Sequence, residues 1–174
     1  MRRVVWMALL LLAGCGAPLT PGKFAGTGSF DPVAFFTGHV TSWGVEENRD
    51  GQPTGIVTTD CVGTPTGPDS IKMVQTLHVD GKTQVRTWEL HQTGNGHYNA
   101  TANDMDGTAA GTASGRVFHW TWTLETSPGS SVKNVTMDQW FYQMDDGAVM
   151  IRTIVTKAGV RLIEVSEQFE KVAS

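Results

Sequence analysis

The sequence lacks the short motifs that mark common catalytic, nucleotide-binding and metal sites. It contains no serine nucleophile elbow, no P-loop and no paired-carboxylate signature, and its five histidines form neither an HExxH nor a His-x-His arrangement. The segment Asp104-Met-Asp106-Gly107 resembles the start of a calcium loop, but the other ligands of an EF-hand are missing. We therefore expect no catalytic residue, no metal site and no cofactor.

The sequence also lacks a hydrophobic run long enough to span a membrane as a helix, which takes about 20 residues. The apolar run from Val4 to Ala13 has instead the length of the apolar region of a signal peptide, and it follows two arginines. The tetrapeptide Leu12-Ala13-Gly14-Cys15 then resembles a bacterial lipobox, which implies cleavage before Cys15 and its modification with diacylglycerol and a fatty acid such as palmitate. The alternative is an ordinary secretory signal with an incidental cysteine.

This N-terminus predicts the domain organisation and the location. Residues 1–14 form the signal peptide, residues 15–30 form a flexible tether rich in Gly, Pro and Thr, and residues 31–174 form a single domain. We expect a lipoprotein held at the bacterial cell envelope by its lipid and facing the periplasm. Gly16 stands after Cys15 where aspartate would retain the protein at the inner membrane, which favours the outer membrane.

Cysteine and basic residues are scarce in the predicted mature chain. With Cys15 acylated, Cys61 is the only thiol left, so no intramolecular disulfide forms, and its alternating context predicts a buried small side chain. Removing the two signal-peptide arginines from 13 basic residues leaves 11 against 17 acidic ones, a net charge of about −6. This charge excludes nucleic acid as a partner, and it leaves the lipid to hold the protein at the membrane.

Helical periodicity is almost absent from the domain. One short helical turn is predicted near residue 32, with Asp31 as its N-cap and Pro32 at its first position. The rest consists of runs that alternate with a period of two and are separated by short turn signals. The runs cover residues 38–46, 54–62, 71–79, 82–91, 97–103, 108–113, 117–125, 132–142, 148–157 and 160–170. They predict an all-β antiparallel meander that closes into an up-and-down, lipocalin-like barrel of roughly 8–10 strands.

The stretch from Ile71 to Leu90 gives the clearest local prediction. Asp80-Gly81 supplies the two residues of a type I′ turn, which sets Gln75 opposite Arg86 and Met73 opposite Trp88. These side chains share one largely apolar face, so a core is expected on that side. Arg86 is the exception, a cation on the apolar face.

Two further turns decide which side chains point inward. A two-residue turn at Ser114-Gly115 sets Gly111 opposite Phe118, so that a large ring packs on glycine. A two-residue turn at Asp146-Gly147 places Arg152 on the inner face and Asp138 with Trp140 on the other, whereas a bulge at Asp145 swaps the two faces.

Short sequence pieces across residues 38–171, together with the two residues just before them, resemble a family of uncharacterised bacterial envelope lipoproteins, domain of unknown function 3833. The pieces that carry the resemblance are Phe36-Thr-Gly38, Asp80-Gly81, Arg86-x-Trp88, Gly96-x-Tyr98, Ala102-x-Asp104-Met-x-Gly107-x-Ala109-x-Gly111, Trp120-x-Trp122, Asp138-x-Trp140, Lys157-x-Gly159 and Phe169-Glu-Lys171. The resemblance implies a location in the envelope and a barrel of the lipocalin class, and it implies no particular activity.

Two arginines on apolar faces are the leading candidates for a binding site. Arg86 and Arg152 are expected either to hold the acidic end of an amphipathic ligand or to form internal pairs with Asp138, Glu164 or Asp104. The tryptophans are expected either to line the apolar part of the site or to fill the barrel. The ligand-binding candidates are Arg86, Trp88, Trp120, Trp122, Asp138, Trp140 and Arg152.

Three functions follow from these candidates. The first is a lipid-anchored protein that binds a small amphipathic or lipid-like molecule. The second is a structural or interaction lipoprotein with a filled barrel, which acts in envelope maintenance through protein partners that the sequence does not identify. The third is an enzyme that uses Asp138 or Asp104 with an arginine, for which the sequence shows no activating partner.

Overall fold

The computed structural model describes residues 20–24, 27–126 and 129–173. The predicted signal peptide and Cys15 lie outside these residues. A 3₁₀ helix spans Pro21–Phe24, and one α-helix, α1, spans Pro32–Phe36. The strands are β1 (Gly38–Asn48), β2 (Pro53–Gly67), β3 (Ser70–Val79), β4 (Lys82–Gly94), β5 (His97–Ala102), β6 (Met105–Ser114), β7 (Val117–Leu124), β8 (Val135–Gln143), β9 (Val149–Lys157) and β10 (Val160–Lys171). No helix in the described part of the chain is long and apolar enough to cross a membrane.

The ten strands form one closed antiparallel barrel. Each strand pairs with the next in sequence, and β1 pairs with β10 to close the ring, from Val40 opposite Lys171 to Asn48 opposite Ile163. Closure satisfies the backbone groups of the two strands that an open meander would expose. The predicted up-and-down, lipocalin-like barrel with a short helical turn is therefore confirmed.

The β3–β4 hairpin has the predicted geometry. Gln75 lies opposite Arg86 and Met73 lies opposite Trp88. Asp80 and Gly81 have φ angles of 50° and 71°, the two positive values that a type I′ turn requires. The inner face of this hairpin carries Arg86, as the alternation in the sequence indicates.

The β6–β7 hairpin differs from the prediction by a shift of two residues. Ser114 pairs with Val117, so the turn lies at Gly115-Arg116, and Gly111 faces Trp120 while Ala113 faces Phe118. A shift of two keeps every side chain on its predicted face. Gly111 still leaves room for the ring of Phe118, because a Cβ at this position would lie 2.5 Å from atoms of that ring.

The predicted face of Arg152 is wrong. Gln143 pairs with Val149, so β8 and β9 are joined by a loop of odd length instead of a two-residue turn. The register therefore changes by one residue, which turns every β9 side chain to the opposite face. Arg152 lies opposite Trp140 on the outside, and Thr153 points inward beside Gln139.

Helix α1 closes one end of the barrel. Asp31 caps it as predicted, since its Oδ1 accepts hydrogen bonds from the N–H groups of Val33 at 2.9 Å and Ala34 at 3.3 Å. Phe36 packs edge-to-face on Phe141 and Phe169, with ring centroids 6.3 and 6.0 Å apart.

The packed fold begins before the predicted domain start at Asp31. Phe30 is 2% exposed, and its N–H donates to the carbonyl of Gly115 at 2.7 Å. Arg116 also reaches this segment, because its Nε donates to the carbonyl of Thr27 at 2.7 Å. The end of the segment that was predicted as a tether is thus part of the barrel's closed end.

Candidate ligand-binding site

The half of the barrel next to α1 is filled by aromatic side chains. The ring of Phe118 lies 5.3 Å from Tyr98, 5.2 Å from Trp120 and 5.2 Å from Phe141, measured between centroids. Trp88 stacks on Trp120 at 5.1 Å. A cavity of only about 50 Å³ remains between these rings, too small for an organic ligand.

The other half of the barrel is open and contains a cavity of about 420 Å³. This volume lies within the range of about 300–1,000 Å³ that is typical of small-molecule sites. Most of the lining is aliphatic. The apolar lining residues are Val57, Leu77, Val79, Leu124, Val132, Val135, Met137, Val155, Leu162, Ile163 and Val165.

Four polar side chains separate the two halves, and together they are called the polar belt here. Gln75, Arg86, Gln139 and Glu167 border both the small aromatic cavity and the large aliphatic one. They come from β3, β4, β8 and β10, so the belt crosses the barrel at mid-height. Arg86 and Glu167 are 7% and 8% exposed, which makes the belt the floor of the large cavity.

The two glutamines of the belt orient the tryptophans. Gln139 accepts hydrogen bonds through Oε1 from the indole N–H groups of Trp120 at 2.8 Å and Trp122 at 2.7 Å. Gln75 accepts one from Trp88 at 3.0 Å. A buried indole N–H needs such an acceptor, so each of the three indoles turns its polar edge toward the belt, and Trp88 and Trp120 also border the small aromatic cavity.

Arg86 has a partner and also borders the cavity. Its Nε lies 2.7 Å and 2.9 Å from the two carboxylate oxygens of Asp104, one of the three internal partners that the sequence suggested. Its guanidinium carbon lies 4.8 Å from the ring centroid of Trp122 and 5.5 Å from that of Trp88, which are cation–π distances. The described residues provide no acceptor for its Nη1 and Nη2 atoms.

Glu167 is the second ionisable residue of the belt. Its Oε1 accepts hydrogen bonds from the hydroxyls of Ser42 at 2.7 Å and Thr59 at 3.1 Å. Burial raises the pKa of Glu167 above its ordinary value, and the two hydrogen bonds oppose that rise only in part. The other charged groups bordering this cavity are Arg86 and Glu46.

We expect Glu167→Gln to stabilise the protein increasingly as the pH rises. A carboxyl whose pKa is raised in the folded state contributes stability below its unfolded pKa and loses that contribution as the pH rises through its folded pKa. Each pH unit in this window costs the wild type about 1.4 kcal/mol relative to the glutamine variant. Urea unfolding between about pH 4 and about pH 8 measures the difference. Exposed Glu89→Gln is the control, and pH-independent stabilisation by Glu167→Gln would contradict the assignment.

Three of the predicted candidates lie together on the outside of the barrel. His119 Nε2 lies 2.7 Å from Asp138 Oδ1, and the rings of His119 and Trp140 stack at 4.1 Å. Arg152 forms hydrogen bonds of 2.6 Å and 3.1 Å with the carboxylate of Glu164. The structure therefore separates Asp138, Trp140 and Arg152 from the cavity.

Cys61 borders the small aromatic cavity, and burial together with nearby Asp60 raises its pKa to about 12. Because the thiolate is the reactive form, we expect no alkylation of Cys61 by iodoacetamide in the folded protein and complete alkylation in denaturant. Mass spectrometry of the peptide that contains Cys61 measures both. Native labelling at the rate of a free peptide would contradict this assignment.

Several residues of the site were not among the sequence-based candidates. Glu167 alternates with Val165 and Phe169 on the inner face, so the period of two in β10 already indicated a buried carboxyl. The alternation in the sequence places Gln75 on an apolar face but indicates no role for it. No group of three or more His, Cys, Asp or Glu side chains in residues 20–24, 27–126 and 129–173 is arranged to hold a metal ion.

Three comparisons place this chain among known proteins, and the structural one agrees with this architecture. A family described as "Protein of unknown function (DUF3833)" matches residues 9–171. The curated proteins contain no match. The S-type phycobiliprotein lyase CPES from Guillardia theta has a similar structure, with a TM-score of 0.60 and 12% sequence identity over 90% of this chain and 99% of the lyase. At this identity the similarity concerns the fold.

Proposed function

This chain belongs to the DUF3833 family, whose description assigns no function, and we propose that it binds a small amphipathic molecule inside its barrel. In this proposal a lipid on Cys15 holds the protein at the bacterial envelope. The observation that carries the proposal is the cavity of about 420 Å³ with an aliphatic wall and a polar floor. Such a lining suits a ligand with an apolar body and one polar end.

The division of the barrel favours binding over a purely structural role. Aromatic side chains fill one half of the barrel and leave a cavity of only about 50 Å³. The aliphatic side chains of the other half leave a cavity of about 420 Å³. Protein cores normally pack with few voids larger than a water molecule. Because this half of the barrel is open, its aliphatic wall stays in contact with water, and a ligand that covered the wall would bury this apolar surface.

Native mass spectrometry of the full chain from bacterial extract tests the binding. We expect a bound mass that is lost when Val155, which lines the cavity, is replaced by phenylalanine. Val74→Phe is the matched control, since Val74 lies on the outside of the barrel and is 42% exposed. A wild-type protein that retains nothing from extract and binds no fatty acid, fatty alcohol or fatty ester would overturn the proposal.

The membrane anchor rests on the sequence alone and has a separate test. We propose that Cys15 carries the acyl chains and that the mature protein faces the periplasm, at the outer membrane. Cys15→Ala is expected to move the protein from the membrane fraction to the soluble fraction and to remove the lipid mass from its N-terminus. Wild-type protein that fractionates as soluble, with an unmodified Cys15, would exclude the anchor.

A further inference from the structure

Some polar atoms in the floor of the cavity have no partner. Every fully buried side-chain nitrogen or oxygen of the described residues has a hydrogen-bond partner. Nη1 and Nη2 of Arg86 and Oε2 of Glu167 have no such partner among those residues, so solvent must reach them. Both side chains border the cavity and are more than nine-tenths buried, so the cavity is the open space next to these atoms.

Arg86 is positioned to offer these atoms to a ligand. Asp104 holds Nε, and two tryptophan rings lie within 5.5 Å of the guanidinium carbon, so the plane of the group is fixed on several sides. The remaining Nη atoms form the end of the guanidinium fork that binds carboxylates with good geometry. Because Asp104 and the two rings already hold this side chain in place, little side-chain entropy is lost on binding.

The charges around the floor favour a singly charged or neutral acid over a phosphate. Asp104 already balances Arg86, so a dianion would bring two further negative charges to a buried site for which the described residues supply no second cation. Glu167 is the other ionisable residue of the polar belt, and its carboxyl group can share a proton and a hydrogen bond with the carboxyl group of a ligand. A monocarboxylic acid thus matches both the Nη donors of Arg86 and the open oxygen of Glu167.

We infer that the ligand is a single-chain monocarboxylic acid that binds with its carboxyl group inward, on Arg86 and Glu167, and with its chain along the aliphatic wall toward the open end. This inference rests on the proposed binding function and specifies its ligand. The polar belt stands at mid-height and the apolar lining lies on the open side of it, which fixes the direction of the ligand.

A head-group series on the wild-type full chain tests the ligand class. Dodecanoic acid, dodecanol, methyl dodecanoate and dodecyl phosphate share one chain and differ only at the head. We expect isothermal titration to give a Kd for the acid at least about tenfold lower than for the other three. The alcohol and the ester lose a hydrogen bond between charged groups, and the phosphate adds a second negative charge. Equal affinities, or tighter binding of the phosphate, would overturn the inference while leaving the binding function in place.

A pair of arginine variants tests the residue. Arg86→Lys keeps a cation beside Asp104 but removes the fork, so we expect at least about tenfold weaker binding of dodecanoic acid and little change for dodecanol. Arg152→Lys is the matched control, since Arg152 is also paired with a carboxylate, that of Glu164, but lies outside the barrel. Unchanged acid binding in Arg86→Lys would exclude Arg86 as the head-group residue.

The direction of the ligand has its own measurement, which needs no variant. Trp88 and Trp120 lie on the closed side of the belt, so bromine next to the carboxyl group should quench tryptophan fluorescence more strongly than bromine at the chain end. The reverse order would overturn the head-inward direction. Absence of binding by every compound in the series would instead contradict the proposed function itself.

Discussion

Replacing Asp104 by alanine is expected to lower the free energy of unfolding by about 3–5 kcal/mol. The carboxylate faces a guanidinium whose side chain is only 8% exposed, and the side chain of Asp104 is itself 15% exposed. Without Asp104, Arg86 would remain buried as a charge with no acidic partner, and this residual charge causes most of the loss. Urea unfolding monitored by tryptophan fluorescence measures the change.

The pair of His119 and Asp138 on the outer face of the barrel provides the matched control for this prediction. Asp138 also accepts from a basic side chain, but it is 38% exposed, so solvent screens the pair and Asp138→Ala should cost much less. The double variant Arg86→Met with Asp104→Ala removes both charges and should regain most of the stability that Asp104→Ala loses. A loss no larger than that of Asp138→Ala would show that the pair at Arg86 does not maintain the fold.

Replacing Phe118 by alanine is expected to cost about 3–5 kcal/mol. Phe118 is 1% exposed and touches three other aromatic rings in the filled half of the barrel, so its removal leaves a closed void. The backbone of β6 approaches its ring closely at Gly111, and the rigid closed barrel limits how far the strands can move in to fill the space.

Leu77→Ala is the comparison for Phe118→Ala, because Leu77 lines the open half. Water already reaches this part of the barrel, and truncation there only enlarges an existing cavity, so a clearly smaller loss is expected. Thermal and urea unfolding of both variants measure the difference. Equal losses would mean that the two halves of the barrel are packed alike and that the cavity is not a feature of the protein in solution.

The sequence predicts the fold well because its patterns are local. Alternation along each strand and the turn at Asp80-Gly81 determine the β3–β4 register, and the same reasoning gives the strand order and the N-cap at Asp31. Prediction from the sequence fails where a loop could have either of two lengths. Between β8 and β9 a change of one residue moves Arg152 from the inside to the outside, and only the packed barrel decides between the two registers.

The site is less predictable than the fold because it depends on distant residues. Arg86 was identified as an unusual cation, but its partner Asp104 is 18 residues away, on the connection between β5 and β6. Glu167 meets Ser42 and Thr59 across separations of 125 and 108 residues, through the pairing that closes the ring. Neither contact leaves a local pattern, whereas the large open space depends on the volumes of side chains from most of the strands.

The pairing of β1 with β10 also has a consequence for the order in which the chain folds. Nine of the ten strand contacts join neighbours in sequence, and this one joins residues as far apart as Val40 and Lys171. Its loop-closure entropy is by far the largest, so hairpins are expected to assemble first and the ring to close in the slowest step. Glu167 and Ser42 meet only at that step, so the complete floor of the cavity exists only in the closed ring. A ligand that binds this floor therefore stabilises the closed ring by mass action and slows its reopening.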